Sequence, residues 1–154
     1  MAIADLLRKP IVNLFVERPG RKFPLAAWAQ KLAESGEAIS KRVADKQTPQ
    51  AAATLRHITG IERWGQRRLQ VALGEPFVQD EYDPYQPAAD TDLATLREEF
   101  RTTRQATVAL AQKLAAAGIT DQVMIRHNQF GPVTVRGWLS YLNTHANFES
   151  KRIR

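Results

Sequence analysis

Three side chains in two distant segments have the types and spacing needed to hold a divalent metal ion. His145 and Glu149 lie four residues apart in a segment with helical periodicity, so both project from one face of a helix. His57 lies on the flank of the inner face of an earlier helical segment. Two imidazoles and one carboxylate, with other positions open to water or substrate, are typical of catalytic zinc, nickel or ferrous sites. His57, His145 and Glu149 are therefore the candidate metal ligands.

The same residues also have explanations without a metal. A single histidine on an apolar face is more often a core histidine satisfied by its neighbours, and Glu149 is close enough to the chain end to reach water or pair with Lys151 or Arg152. A carboxylate beside an imidazole on an apolar stripe, however, shifts both pKa values or requires a cation between them. His127 precedes a Gly-Pro pair in a predicted loop, so we expect it to be exposed and outside the site.

Apolar residues recur at helical spacing in four long stretches, and no stretch shows sustained alternation. This pattern predicts an all-α protein. The predicted helices run from Leu25 to Lys46, from Pro49 to Leu73, from Asp92 to Ala117 and from Thr134 almost to the end of the chain. On the second helix, Glu62 leans toward the inner face, where we expect it to hydrogen-bond a ligand or to pair with a neighbouring arginine, namely Arg63, Arg67 or Arg68. Thr103 and Thr107 lie on the inner stripe of the third helix, where they either bond back to the preceding turn or line a polar pocket.

The whole chain, residues 1–154, is the size of one domain. Residues 1–23 are apolar but interrupted by Pro10, and we interpret them as a short helical extension packed on the four helices. Between the second and third helices, residues 75–90 could span roughly 50 Å, which exceeds the roughly 30 Å of a 20-residue helix. Strict up-down-up-down order is therefore not required, because this connection is long enough to cross the bundle.

Composition limits the function classes. The chain has no cysteine, which excludes thiolate ligands and a thiol nucleophile. Neither a signal peptide nor a membrane span is recognisable, so we expect a cytoplasmic protein without a membrane partner. The net charge of +6 is scattered, and residues 75–100 are acidic, so nucleic acid is not the expected partner. No phosphate-binding loop, HExxH motif, nucleophile elbow or dinucleotide fingerprint is present.

Three segments together resemble the DinB/YfiT-like superfamily of metal-dependent proteins: LRHITGIERWGQRRL, GEPFVQDEYDPYQPAADTDLATLREEF and FGPVTVRGWLSYLNTHANFESKRI. The resemblance covers Leu25 to Ile153 and implies a four-helix bundle in up-down-down-up order. It also implies a divalent metal, commonly zinc or nickel, bound by a histidine of the second helix and an H-x-x-x-H pair of the fourth. His57 and His145 match two of these ligands. Glu149 replaces the third, which shifts the expected metal toward zinc, manganese or iron, or leaves a degenerate site with none.

The resemblance leaves more than one function open. One is an enzyme, a thiol S-transferase or a hydrolase, in which the metal activates a bound water or a small-molecule thiol. The alternative is a metal-free bundle with a degenerate site that acts as a binding or dimerisation module. The resemblance implies a homodimer, and exposed members of an aromatic set would supply its apolar patch: Trp28, Trp64, Phe77 and Tyr82.

Overall fold

The computed structural model describes residues 3–154, with side chains from Leu7 onward, and the protein is predominantly helical. Four long helices carry most of the chain: α3 (Leu25–Val43), α4 (Pro49–Gln70), α5 (Leu93–Ala116) and α6 (Val135–Lys151). They are preceded by α1 (Ile3–Val12), a π-helical turn (Asn13–Glu17) and the short α2 (Arg18–Gly20). One 3₁₀ turn (Val71–Leu73) follows directly on α4, and a second (Asp83–Tyr85) lies in the connection to α5. A short hairpin pairs β1 (Met124–His127) with β2 (Gly131–Thr134).

The ends of the long helices follow from local sequence. The hydroxyl oxygen of Thr48 accepts from the amide of Ala51 at the start of α4, and Asp92 and Thr134 cap α5 and α6 in the same way. The helical segment that contains α4 ends at Gly74. The φ of Gly74 is 102°, a left-handed conformation that favours glycine. The four predicted helices are present, and their boundaries differ from the predicted ones by a few residues.

The hairpin corrects the prediction that the protein is entirely α-helical. Its two strands are antiparallel and pair Met124 with Thr134 and His127 with Gly131. Side chains along β1 alternate between exposed and buried, with Ile125 and His127 inside. Four residues per strand are too few to show a sustained period of two, so the sequence pattern did not reveal them.

The core lies between the four long helices. Helix α3 packs against α5 and α6, and α4 packs against the same two helices. One apolar cluster surrounds Trp138, and a second surrounds Phe100. The N-terminal segment packs against α6. Trp28 and Trp64 are both 3% exposed, so they do not belong to the surface patch suggested from the sequence.

A polar network crosses the centre of the four helices. The carboxylate of Glu62 on α4 accepts from Nε and Nη2 of Arg104 on α5, and from the hydroxyl of Thr107. The partner of Glu62 is therefore Arg104 and not one of the arginines predicted on its own helix. Nη1 of Arg104 donates to Ser35 of α3, whose hydroxyl donates to Asn143 of α6. Thr107 thus lines a polar interior, and its hydroxyl also lies 3.2 Å from the carbonyl oxygen of Thr103 in the preceding turn, so both roles expected for it are present.

Across the described residues, no helix is both long enough and apolar enough to cross a membrane.

Candidate metal centre

His57 and His145 meet at the contact between α4 and α6. Their Nε2 atoms lie 3.2 Å apart, and their ring centroids are 5.0 Å apart. Both side chains are partly buried. The two segments that carry them are 88 residues apart in sequence, so only the packing of α4 on α6 brings them together. Two of the three predicted ligands are therefore neighbours.

The separation of the two nitrogens suits a shared metal ion. A zinc ion binds imidazole nitrogen at about 2.05 Å, and two such bonds to atoms 3.2 Å apart enclose an angle of about 100°. This value is near the tetrahedral angle. Without a metal, the same distance suits an N–H···N hydrogen bond between two neutral rings in complementary tautomers.

The surroundings keep His145 uncharged. Burial, with a smaller effect of the neighbouring His57, lowers the pKa of His145 to about 4. The imidazole of His145 is therefore neutral at pH 7, and neutral imidazole is the form that binds a metal ion.

Glu149 lies one helical turn beyond His145 but is directed elsewhere. Its Oε2 atom is 3.4 Å from Nη1 of Arg152, and its side chain is 24% exposed. Over the part of the chain that the structure describes, no group of three or more histidine, aspartate or glutamate side chains is close enough to hold a metal ion. The structure brings His57 and His145 together, and it does not bring Glu149 to them.

Two tyrosines border the imidazole pair. The ring of Tyr82 meets that of His57 edge-on at 5.3 Å, and the ring of Tyr141 lies 5.7 Å from that of His145. Burial, with a smaller effect of the nearby Tyr82, raises the pKa of Tyr141 to about 12. The phenol of Tyr141 therefore stays protonated at pH 7 and remains available as a hydrogen-bond donor. Tyr82 comes from the connection between α4 and α5.

His127 is buried, contrary to the expectation that it is exposed in a loop. It is 4% exposed and lies on β1, stacked on Phe130 at 4.2 Å and edge-on to Trp64 and Tyr141. Its Nδ1 atom accepts from the amides of Gln129 and Phe130, so its Nε2 atom carries the proton when the ring is neutral. Nε2 is buried without a hydrogen-bond partner. A protonated Nε2 cannot bind a metal, so His127 is a neighbour of the candidate centre and not a ligand.

Arg68 anchors the connection between α4 and α5, which contains Tyr82. Its guanidinium is 1% exposed and donates to the carbonyl oxygens of Val78 and Asp80 and to the side chain of Asn128. Asp80 also accepts from the indole of Trp64 and from the hydroxyl of Tyr85. Burial lowers the pKa of Arg68, and the charge of Asp80 opposes that shift. The connection and the hairpin are thereby joined beside the two histidines.

The position of Tyr141 at the site and the burial of His127 were not predicted from the sequence. One signal was present for Tyr141, which lies four residues before His145 and so shares its helix face. For Tyr82 and His127 no spacing rule applies, since both lie in irregular or short segments whose path depends on Arg68 and the hairpin.

Comparison with protein families gives one match. A family model described as the DinB superfamily matches residues 35–148. No curated protein matches the chain, and no solved structure matches it.

Proposed function

Because the chain belongs to the DinB superfamily, we propose that it binds a divalent metal ion through His57 and His145 and uses it in enzymatic chemistry. The observation that carries the proposal is the 3.2 Å separation of the two Nε2 atoms, which suits two bonds to one ion. The lowered pKa of His145 supports it, since no proton has to be displaced from that ring at pH 7.

Glu149 is the proposed third ligand. Its carboxylate has only to leave Arg152, whose side chain is 64% exposed. Exposed pairs of this kind contribute roughly 0 to 1 kcal/mol, so turning away from Arg152 costs little. Residues four apart on a helix lie about 5 to 6 Å from each other at Cβ, which lets Glu149 and His145 approach one ion. With a carboxylate in place of a third imidazole, zinc, nickel, iron and manganese are the metals to test.

The proposed activity is that of a thiol S-transferase or a hydrolase. When bound, a divalent ion supplies Lewis-acid activation of a water or thiol nucleophile. The residues around it have separate tasks. His145 stays neutral through burial, and the rings of Tyr82 and Tyr141 lie against those of His57 and His145. The protonated phenol of Tyr141 can donate a hydrogen bond to a small-molecule substrate beside the histidines.

The proposal includes the helix order implied by the family, a four-helix bundle in up-down-down-up arrangement. Hydrogen bonds between the helices support it. Arg42 near the end of α3 donates to Ser150 near the end of α6, and Ser35 donates to Asn143, which fits parallel α3 and α6. Thr48 at the start of α4 donates to the carbonyl of Arg154, just beyond α6, which fits antiparallel α4 and α6.

The second candidate is a metal-free bundle that serves as a binding or dimerisation module. The observation that favours it is the position of the Glu149 carboxylate, beside Arg152 and not beside the histidines. In this case the two imidazoles form a hydrogen bond and have no catalytic role.

Elemental analysis separates the two candidates. The protein is stripped with a chelator, equilibrated separately with Zn²⁺, Ni²⁺, Mn²⁺ and Fe²⁺, and passed through a desalting column. We expect close to one equivalent of at least one metal in the natural protein, and less than a tenth of that in His57→Ala and His145→Ala. Glu149→Gln should weaken binding by about tenfold or more, since one of three ligands is lost.

The matched control is His127→Gln, which removes a buried histidine next to the site that is not a proposed ligand. It should keep its metal. Absence of metal from every sample would favour the metal-free module. Retention of metal by His57→Ala or His145→Ala would overturn the assignment of that histidine as a ligand.

A further inference from the structure

The N-terminal segment presents a stripe of large apolar side chains to solvent. Leu7 is 62% exposed, Ile11 53%, Leu14 50% and Phe15 64%. The spacing of these four residues places them on one side of α1 and the π-helical turn that follows it. Four such side chains within nine residues form a contiguous patch of the kind that marks an interaction surface.

The opposite side of the same segment is fixed to the protein. Val12 and Val16 are buried in the core, and the carboxylate of Glu17 accepts from the amide and the hydroxyl of Thr134. The backbone of Gly20 lies so close to that of Arg136 that a Cβ atom would be 2.8 Å from it. Because these contacts hold the segment in one orientation, the apolar stripe cannot turn inward.

The N-terminal segment is also positively charged. Lys9, Arg18, Arg21 and Lys22 are exposed. Within residues 7–22 the sole acidic side chain is that of Glu17, and it is buried against Thr134. The exposed side chains of residues 7–22 are therefore apolar or cationic, apart from one that is polar and uncharged, and none of them is an anion.

We propose that this stripe docks onto an anionic membrane surface. A helix that combines an apolar face with flanking lysine and arginine residues lies in the lipid interface, where the apolar side chains enter the acyl boundary and the cations meet the headgroups. The binding is peripheral and does not require a spanning helix. It thus departs from the expectation of no membrane partner, which rested on the lack of a span.

A second copy of the chain fits the stripe less well than a membrane does. The exposed fractions given above amount to little more than two complete side chains. Even at the ~250 Å² that the largest aromatic side chains bury, the four offer at most roughly 600 Å². A stable protein interface needs about 800 Å² from each partner. In a symmetric pair the cations around one stripe would also face those of the other, and like charges repel.

Vesicle flotation with the full chain tests the proposal. The vesicles contain either phosphatidylcholine alone or phosphatidylcholine with a quarter phosphatidylglycerol. We expect at least tenfold stronger binding to the anionic vesicles. The double variant Leu7→Gln/Phe15→Gln should lose tenfold or more, and Lys9→Glu/Lys22→Glu should lose a similar factor on anionic vesicles alone.

The control is Phe148→Gln, which removes another exposed ring, 61% accessible, at the far end of α6. It should bind like the natural protein, and circular dichroism should show that all variants are folded. The proposal is overturned if the natural protein does not bind anionic vesicles, or if the Leu7→Gln/Phe15→Gln variant binds them as strongly as the natural protein does. A dimer in light scattering that this variant dissociates, without any vesicle binding, would assign the stripe to a second copy.

Discussion

Glu62 of α4 and Arg104 of α5 form a bidentate ion pair at the centre of the protein. Nε of Arg104 lies 2.6 Å from Oε1 of Glu62, and Nη2 of Arg104 lies 2.9 Å from Oε2. Their side chains are 1% and 4% exposed. Arg104 also donates to the backbone carbonyl of Leu32 and to Ser35 on α3. This pair therefore joins three helices in surroundings where an unpaired charge is costly.

Loss of the Glu62 carboxylate should destabilise the protein strongly. In Glu62→Gln the guanidinium of Arg104 stays buried without a counter-charge, which typically costs about 3 to 5 kcal/mol. Urea denaturation measures the change. The control is Glu99→Gln, because Glu99 pairs with Arg63 at 2.7 Å but both side chains are about one third exposed. That variant should lose less than about 1 kcal/mol. If both variants lost the same free energy of unfolding, burial of the Glu62–Arg104 pair would not make its disruption more costly than that of an exposed pair.

Acid should destabilise the protein partly through His127. Burial lowers the pKa of His127 from 6.5 to about 4, so the unfolded chain binds a proton in the range where the folded protein does not. The contribution of His127 is thus fully present above about pH 6.5 and is lost as the pH falls through 4. A shift from 6.5 to about 4 corresponds to roughly 3 kcal/mol.

The variant His127→Gln isolates this contribution, since glutamine does not titrate. Urea denaturation at several pH values should give a smaller loss of stability between pH 6.5 and 4 for the variant than for the natural protein. His145 still titrates in both, because burial lowers its pKa to about 4 as well. Parallel stability curves for the two proteins would show that His127 is not the group responsible.

Removal of the Arg68 guanidinium should increase the mobility of residues 76–86, the part of the connection between α4 and α5 that contains Tyr82. This guanidinium lies between the rings of Trp64 and Phe77, at 4.9 and 4.6 Å from their centroids, and donates to Asp80 and Asn128. In Arg68→Met, residues 76–86 lose these anchors, and we expect a loss of about 2 to 4 kcal/mol in stability.

Hydrogen exchange gives the local readout for Arg68→Met. The amides of residues 76–86 and of the hairpin should exchange faster than in the natural protein, while those in the centre of α5 change less. The control is Arg67→Met, whose guanidinium also reaches the connection, at the carbonyl of Pro76, but from a more exposed position. Unchanged exchange over residues 76–86 in Arg68→Met would show that other contacts hold the connection.

Much of the helical architecture could be predicted because its signals are local. The apolar periodicity located the four long helices, and Thr48, Asp92 and Gly74 mark helix ends through capping and left-handed backbone. The hairpin could not be predicted in this way. Its strands have four residues each, and what holds it is tertiary: Trp138 donates to the carbonyl of Ile125, and Arg68 reaches Asn128.

The candidate site was predictable in part. His57 and His145 each lie on or near an inner helix face, so their meeting required only that α4 and α6 be neighbours. The direction of Glu149 and the burial of His127 depend on partners that no spacing rule reveals, namely Arg152 in one case and the ring of Phe130 in the other. The pairing of Glu62 with Arg104 could not be predicted for the same reason, because no pattern within either helical segment indicates an ion pair with the other.

The most direct test of the central claim is an anomalous difference map from crystals of the protein equilibrated with Zn²⁺, collected at the zinc absorption edge. The account predicts one strong peak between α4 and α6, about 2.0 to 2.1 Å from both Nε2 of His57 and Nε2 of His145, with the Glu149 carboxylate turned away from Arg152 toward it. A map without a peak at that position, with the two imidazoles still in direct contact, would contradict the account.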